Sequence, residues 1–479
     1  MTYTYKQYIG GEWREAANGA TWDVVNPASE EVVRTVPFGP GADCQAAIDA
    51  AAVAFHAWAG RTAYDRGALL KSAADMMRAR ADDLARTTVL ESGKPFVQAK
   101  GEWIVAADLF EWFAEEGKRA YGRVVPSRTG TKRLLVLKQP VGVVGVITAW
   151  NFPAYNVARA AAAALAAGCT VVARPSEFTP LTAMEMVNIL VEAGMPPGAI
   201  NLVNGEPEAM GKAMLAHPAC AKVHFTGSVR VGKHLMDGAS KTVTRLSLEL
   251  GGNAPVLVFP DVDMKQVAAG AVASKFRNGG QVCVAPQRFL VHHRVAEEFV
   301  GHVGERVASL RVGSGLDPET QVGPLINARQ RDRVAALVDA ARSSGATVRV
   351  GGSRPAHRDK GFFYEPTLVA DVKPSMPLYE EEIFGPVMPV ASFDDVDQAV
   401  ALANATRYGL AAYVWTNDLR TAIRAWERLE FGLIGVNEWT PQSVEAPFPG
   451  WKESGLGREG GLEGLEEYLE TKVVALGGL

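Results

Sequence analysis

The chain predicts an α/β fold: a doubly wound parallel sheet, a second α/β unit after it, and a β-arm that leaves the body. Three observations predict this. From Val141 onward, wholly apolar runs such as "VGVVGVI", "CTVVA", "AINLVNG" and "AKVHFTG" alternate with amphipathic stretches. Strands that are apolar on both faces and separated by helices belong to a parallel sheet covered on both sides. After "LELGGNAPVLVF" the alternation starts again. Finally, "GRVVPSRTGTKRLLVLKQP" (122–140) sets short β-branched runs between Gly, Pro and Thr, the pattern of a hairpin or extended arm.

The elements follow in order. The N-terminal "MTYTYKQYIGGEWREA" reads as short strands around a turn. Over 64–92, Leu69, Leu70, Ala73, Met76, Met77, Ala81 and Leu84 recur at helical spacing, with more helix to about Tyr121. Helices are predicted over 153–168, 181–192 and from Ser228. In the second unit they run 264–276, 296–310, 329–344, 396–403 and 419–429. The tail "GLEEYLETKVVALGGL" ends in a strand that suits the 122–140 arm as a partner. The expected domains are 1–121 with 141–251, then 252–440, with an oligomerisation arm from 122–140 and 460–479.

With 479 residues the chain is too long for one core. An apolar share of 48% and a charged share of 21% are those of an ordinary globular protein. A net charge of −4 and the lack of a basic stripe argue against nucleic acid. Cys44, Cys169, Cys220 and Cys283 have neither disulfide nor zinc spacing, which fits a reducing compartment and no metal. The Ala-rich stretch 158–168 is too short to span a bilayer and contains Arg159. The expectation is a cytoplasmic protein with no membrane partner.

Four strand-end motifs and one cysteine carry chemistry. "FTGSVRVG" places Gly227, Ser228 and Gly232 across a strand-to-helix turn, where free helix amides can hold a pyrophosphate. "ARPSE" offers Arg174 as donor and Glu177 as acceptor to a ribose. "TAWNFP" puts Asn151 at a strand end, and "SLELGGN" puts Glu249 inside an apolar run, where a carboxylate is costly unless paired or used. Each has an ordinary reading too: a helix cap, a solvated loop, a paired acid. "SKFRNGGQVCVAPQRF" sets Cys283 after Gly279 and Gly280, which permit a tight bend and a close backbone approach. Doubly wound sheets of this kind bind nucleotides beyond their strands' carboxyl ends.

Together "WNFP", "LELGG", "FTGS", "GQVC", "EEIFGP" and "SGLGREG" make the whole chain resemble the aldehyde dehydrogenase superfamily. The resemblance implies a nucleotide-binding domain, a catalytic domain and a β-arm for oligomerisation. It implies Cys283 as nucleophile, Glu249 as general base and Asn151 as oxyanion donor. It also assigns Thr148, Trp150, Arg174, Ser176, Glu177, Gly205, Gly227, Ser228, Gly232, Leu250, Gly251, Glu382 and Phe384 to a nicotinamide coenzyme. Arg174 departs from the family's usual lysine and changes reach and geometry. Glu177 would repel a 2′-phosphate, which favours NAD, with NADP as the alternative.

"AAALAAGCTVV", "KFRN", "SVEAPF" and "EEYLETKVVALGGL" look most like succinate-semialdehyde dehydrogenases. That implies a distal carboxylate held by Arg159, Arg277 and Ser443, although either arginine could instead pair with a neighbouring acid. Ala285 stands where some members carry a second cysteine, so no redox switch is expected. Trp451 is bulkier than the subfamily's usual residue and reads either as part of the tunnel mouth or as packing. The alternatives are a 2-oxoglutaric or glutaric semialdehyde dehydrogenase, a broad-scope enzyme, and a non-catalytic structural oligomer. The arm implies a homodimer or homotetramer.

Overall fold

The computed structural model describes residues 3–478; residues 1, 2 and 479, which end the expected first domain and arm, lie outside the described residues. Five parallel strands form the heart of the first sheet, in spatial order Ile200–Leu202, Thr170–Arg174, Val143–Ile147, Cys220–Thr226 and Arg245–Glu249. The winding therefore starts at Val143–Ile147, runs one way for two strands, and resumes on its other side. The hairpin Gln7–Ile9 with Glu12–Arg14 extends one edge and Gly455–Leu456 the other, all antiparallel.

Burial explains the apolar runs. Val143–Ile147 and Thr170–Arg174 are buried at every position. The helix between them, Pro153–Ala167, is buried at every residue but Tyr155, so it is a core helix rather than an amphipathic one. Pro153 starts it, where a missing N–H costs nothing, and Gly168 ends it in the left-handed region at φ 99°. The periodic stretch 64–92 is two helices, Ala63–Ala79 and Ala81–Ser92, broken at Arg80. The apolar periodicity runs through that break, so the pattern alone does not show it. Arg80 is tied there by a bidentate pair with Glu192 at 2.6 and 2.7 Å.

The second sheet runs Thr347–Val350, Thr367–Ala370, Val387–Phe393, Pro286–His292, Ala254–Val258, Ala411–Trp415 and Leu433–Val436. Every neighbouring pair is parallel except the first. The five helices expected here are present at Met264–Phe276, Ala296–Ala308, Ala328–Ser343, Val396–Asn404 and Leu419–Trp426. Fully buried Arg288 locks the start of this unit by donating to the carbonyls of Asn253, Leu402 and Ala403 at 2.8–3.1 Å.

The arm is a three-stranded antiparallel sheet. Leu469–Gly477 pairs with Lys132–Pro140 in unbroken register, and Arg123–Val125 lies on the far side. Val124, Val473 and Leu476 stay exposed on it. Among the described residues no helix is long and apolar enough to cross a membrane.

Candidate active site

Two neighbouring strands of the first sheet, Val143–Ile147 and Cys220–Thr226, carry helices wound in opposite senses, and a crevice opens between the turns that follow them. The turns are "TAWNFP" and "FTGS". A cavity of about 950 Å³ lies there, and residues of both sheets line it. From the first come Trp150, Asn151, Arg159 and Glu249; from the second come Arg277, Cys283, Glu382 and Phe384. Residues far apart in sequence thus share one space.

The loop before Cys283 is bent by three consecutive left-handed residues, Asn278 (φ 49°), Gly279 (φ 61°) and Gly280 (φ 73°). A side chain at Gly280 would collide with the Gly385 carbonyl, and one at Gly252 with the carbonyl of Cys283 itself. The glycines of "LELGG" and "RNGGQ" therefore let the strand end and the thiol loop meet. Asn151 is locked against this loop. Its Nδ2 donates to the Gln281 carbonyl at 3.1 Å, and its own carbonyl accepts from Asn278 Nδ2 at 2.9 Å. Its Oδ1 accepts from Asn156 Nδ2 at 3.2 Å, which fixes the amide's orientation and leaves one N–H of Asn151 to donate elsewhere.

Cys283 is half-buried, and its thiol is pushed up to about 12, first by burial. Arg159 pulls it down while Glu249, Glu382 and Glu459 push it further up. The resting group is therefore the thiol. Glu249 ends the strand Arg245–Glu249, and neither of its buried carboxyl oxygens has a hydrogen-bond partner. Its pKa is raised well above the carboxylate range by burial and then by the charge of Glu459, against the pull of Arg159. A carboxyl left unpartnered in this way is a strong base once it has lost its proton.

The two arginines differ. Arg159 is buried in an ion pair with Glu459, between the rings of Phe448 at 4.3 Å and Tyr155 at 4.8 Å. His224 Nε2 meets the same carboxylate at 2.5 Å. Arg277 is half-buried, lies 5.3 Å from the Phe152 ring, and makes no ion pair among the described residues. The neighbouring-acid reading thus describes Arg159 and not Arg277. Ser443 is exposed at the cavity wall. Trp451 is 48% exposed, pairs through its backbone with Gly409 and lies off the cavity lining.

Gly227, Ser228, Leu250 and Gly251 also line the cavity. Glu382 accepts the Gly252 N–H at 3.0 Å, and burial lifts its pKa to about 7. Phe384 sits at φ 52° with its ring edge-on to Trp150 at 5.3 Å. Gly232 lies outside the cavity, where a side chain would press on Leu250. Thr148, Arg174, Ser176, Glu177 and Gly205 also lie outside it, clustered at adjoining strand ends. Thr148 N–H donates to the Arg174 carbonyl, and Arg174 Nη2 donates to Gly205 O at 2.7 Å and Glu177 at 2.9 Å. Arg174 is thereby committed to protein partners.

These strand ends fit a dinucleotide. The helix Val229–Ala239 opens at the crevice with Ser228 as its cap, and the buried hydroxyls of Thr148 and Thr226 have no hydrogen-bond partner among the described residues. Among the described residues no cluster of His, Cys, Asp or Glu could hold a metal ion. Cys44, Cys169 and Cys220 are core residues, unlike Cys283. Sequence reasoning missed Lys94, Glu102, Asn278 and His224 as neighbours of the site, and it quoted Glu459 inside "SGLGREG" without giving it a role. Only the acid in that motif had a signal to follow.

The chain's relatives are aldehyde dehydrogenases. The profile of the aldehyde dehydrogenase family matches residues 13–474. A succinate-semialdehyde dehydrogenase [NADP(+)] of Escherichia coli is 44% identical, covering 98% of this chain and 97% of its own. A glutarate-semialdehyde dehydrogenase of Pseudomonas putida is 42% identical over 99% and 98%. The crystal structure of a succinate-semialdehyde dehydrogenase from Burkholderia pseudomallei superposes with a TM-score of 0.97 at 43% identity, covering 99% and 98%. A Staphylococcus aureus betaine aldehyde dehydrogenase solved with NAD+ gives the same TM-score at 37% identity, covering 99% and 94%. With one family matched in sequence over nearly the whole length and in fold over all of it, the chain belongs to the aldehyde dehydrogenase family and is an NAD(P)-dependent oxidoreductase acting on an aldehyde.

Proposed function

We propose that the enzyme oxidises succinate semialdehyde to succinate in this cavity, with Cys283 as nucleophile, Glu249 as general base and Asn151 as oxyanion donor. The observation that carries the substrate is Arg277, a guanidinium with no acid partner among the described residues that shares the cavity with Cys283. A carboxylate arriving there gains a charge-assisted bond of about 1.5–3 kcal/mol. Arg159, already neutralised by Glu459, adds a smaller share, and Ser443 a hydroxyl.

The steps follow from the protonation states. Glu249, once ionised, takes the proton of the Cys283 thiol, and the thiolate attacks the aldehyde carbon. The resulting oxyanion takes the remaining Asn151 N–H, a donor already in place. NAD(P)+ bound at the strand ends supplies the hydride acceptor. Cys283 is then acylated as a thioester. Glu249 releases the first proton to solvent and then takes one from the water that hydrolyses the thioester. Passing it to the departing sulfur restores the thiol, and the acid formed leaves as its carboxylate.

NAD is the coenzyme favoured by the charge of Glu177, and Thr148, Trp150, Arg174, Ser176, Gly205, Gly227, Ser228, Gly232, Leu250, Gly251, Glu382 and Phe384 complete its site, Arg174 by holding Glu177 and the Gly205 carbonyl in place rather than by a free guanidinium. The nucleotide-binding domain is 1–121 with 141–251, and the catalytic domain is 252–440. The exposed apolar residues of the arm (122–140 and 460–479) pack in a homodimer or homotetramer, and unpaired cysteines suit the cytoplasm.

The test ranks kcat/KM for succinate, glutarate and uncharged semialdehyde analogues with NAD and with NADP. Highest turnover of succinate semialdehyde, lost in Cys283→Ala, supports the reading. Equal turnover of uncharged aldehydes would overturn the substrate. A specific observation favours glutarate semialdehyde as a second reading: relatives named for it are as similar, at 42% identity, as one named for succinate semialdehyde. One methylene is worth only about 1–3 kcal/mol of discrimination in a pocket.

A further inference from the structure

Behind Asn151 lies a buried ion pair that the mechanism does not use. Lys94 and Glu102 are paired with their side chains 0% and 1% exposed. Lys94 follows Gly93, the left-handed cap (φ 77°) of helix Ala81–Ser92, and Glu102 sits on helix Phe96–Glu116. Neither element belongs to a strand-end motif, yet both reach the same turn. Lys94 Nζ donates to the Asn151 carbonyl at 2.7 Å and lies 4.2 Å from the centre of the Phe152 ring. Glu102 Oε1 accepts the amides of Ala154 at 2.7 Å and Tyr155 at 3.2 Å, the first free N–H groups of the helix that follows.

We infer that Lys94 and Glu102 are positioning residues for the oxyanion donor, clamping the Asn151–Tyr155 turn from both sides so that the Asn151 side-chain amide faces the thiol loop. The inference rests on the reading of Asn151 as that donor.

The Asn151 carbonyl takes two side-chain donors, Lys94 Nζ and Asn278 Nδ2, and Asn278 belongs to the thiol loop. The peptide plane after Asn151 is therefore pinned between Lys94, held in its buried pair, and the Asn278 side-chain amide of the thiol loop. With Lys94 removed, only the thiol loop would hold that plane, and the two would shift together. An oxyanion donor works by being in place before charge develops, so a displacement well under its own hydrogen-bond length weakens it.

The test is a double-mutant cycle. Lys94→Met and Lys94→Met/Glu102→Gln are made in the wild type and in Asn151→Ala. The double variant replaces the pair by neutral side chains of similar volume and keeps an acceptor for the two helix amides, so it serves where Lys94→Met alone does not fold. Readouts are kcat, KM for succinate semialdehyde, coenzyme Kd by fluorescence titration, and Tm.

In the wild-type background kcat should fall about 10- to 100-fold, with KM and coenzyme Kd moving less than about threefold. In the Asn151→Ala background the same change should cost less than about threefold, because the amide it positions is gone. Equal losses in both backgrounds, or a loss tracked by coenzyme Kd and Tm, overturn the positioning role. If Asn151→Ala alone keeps the wild-type kcat, the donor assignment falls and the positioning role with it.

Discussion

The two walls of the cavity are built differently. Around Asn151 and Arg159 on the first-sheet wall the charges are buried and answered within the protein: Arg159 by Glu459, and Lys94 by Glu102. Around the thiol loop on the second-sheet wall Arg277 makes no ion pair among the described residues, and Cys283 sits half-buried behind a run of left-handed residues. Glu249 is an exception on its side, a buried carboxyl with no hydrogen-bond partner among the described residues. A neutralised wall holds geometry, because each charge is anchored by another. An unneutralised group keeps its interaction free for a ligand. Ion pairing, more than residue type, separates the scaffold of this site from the parts available to meet substrate.

The contrast can be broken most severely at the thiol. Cys283→Ala should cost about 10⁴-fold or more in kcat, with coenzyme binding intact by fluorescence titration. Glu249→Gln should cost about 10²- to 10⁴-fold at neutral pH. The wild-type rate should climb with pH as Glu249 loses its proton above the usual carboxylate range, and the variant's pH–rate profile should lack that rise.

The arginines sharpen the contrast further. Arg277→Ala should lower kcat/KM for succinate semialdehyde by about 10- to 150-fold, with little change for an uncharged aldehyde. Arg159→Ala should instead act on stability, costing about 3–5 kcal/mol in denaturant unfolding, because Glu459 is left buried without its cation. Equal selectivity losses at the two positions would erase the distinction between the walls.

The smallest effect is a pH-dependent stability. In the folded state Glu382 is lifted to about 7 and Glu249 well above its ordinary value, both mainly by burial. The unfolded chain releases those protons near pH ~4.3. From there up to the raised values the folded state holds more protons, so stability falls as pH rises through the window. Glu249→Gln should therefore gain Tm relative to wild type increasingly as pH rises above about 4.3, read by scanning fluorimetry.

Much of this was legible in the sequence. The winding of the first sheet followed from apolar runs that had to be buried on both faces, and the glycines of "LELGG" and "RNGGQ" marked where backbones approach. The break at Arg80 was hidden because side-chain periodicity continues through it. The state of Arg159 was hidden for another reason: its partner Glu459 lies some three hundred residues away in "SGLGREG", and a charge in a helix pattern does not say what faces it. Lys94 and Glu102 fall outside every strand-end motif, so nothing in the local sequence ties them to the site.

The sequence alone determined the family, the α/β winding and the residue types that can do the chemistry. These are written locally, in short motifs and in the period of apolar side chains. Tertiary structure alone decided which charges cancel, which carboxyl stands unpartnered and which amide is held in place. Those outcomes depend on pairwise distances between segments remote in the chain, and Coulomb and hydrogen-bond energies are set by distance and burial rather than by sequence order.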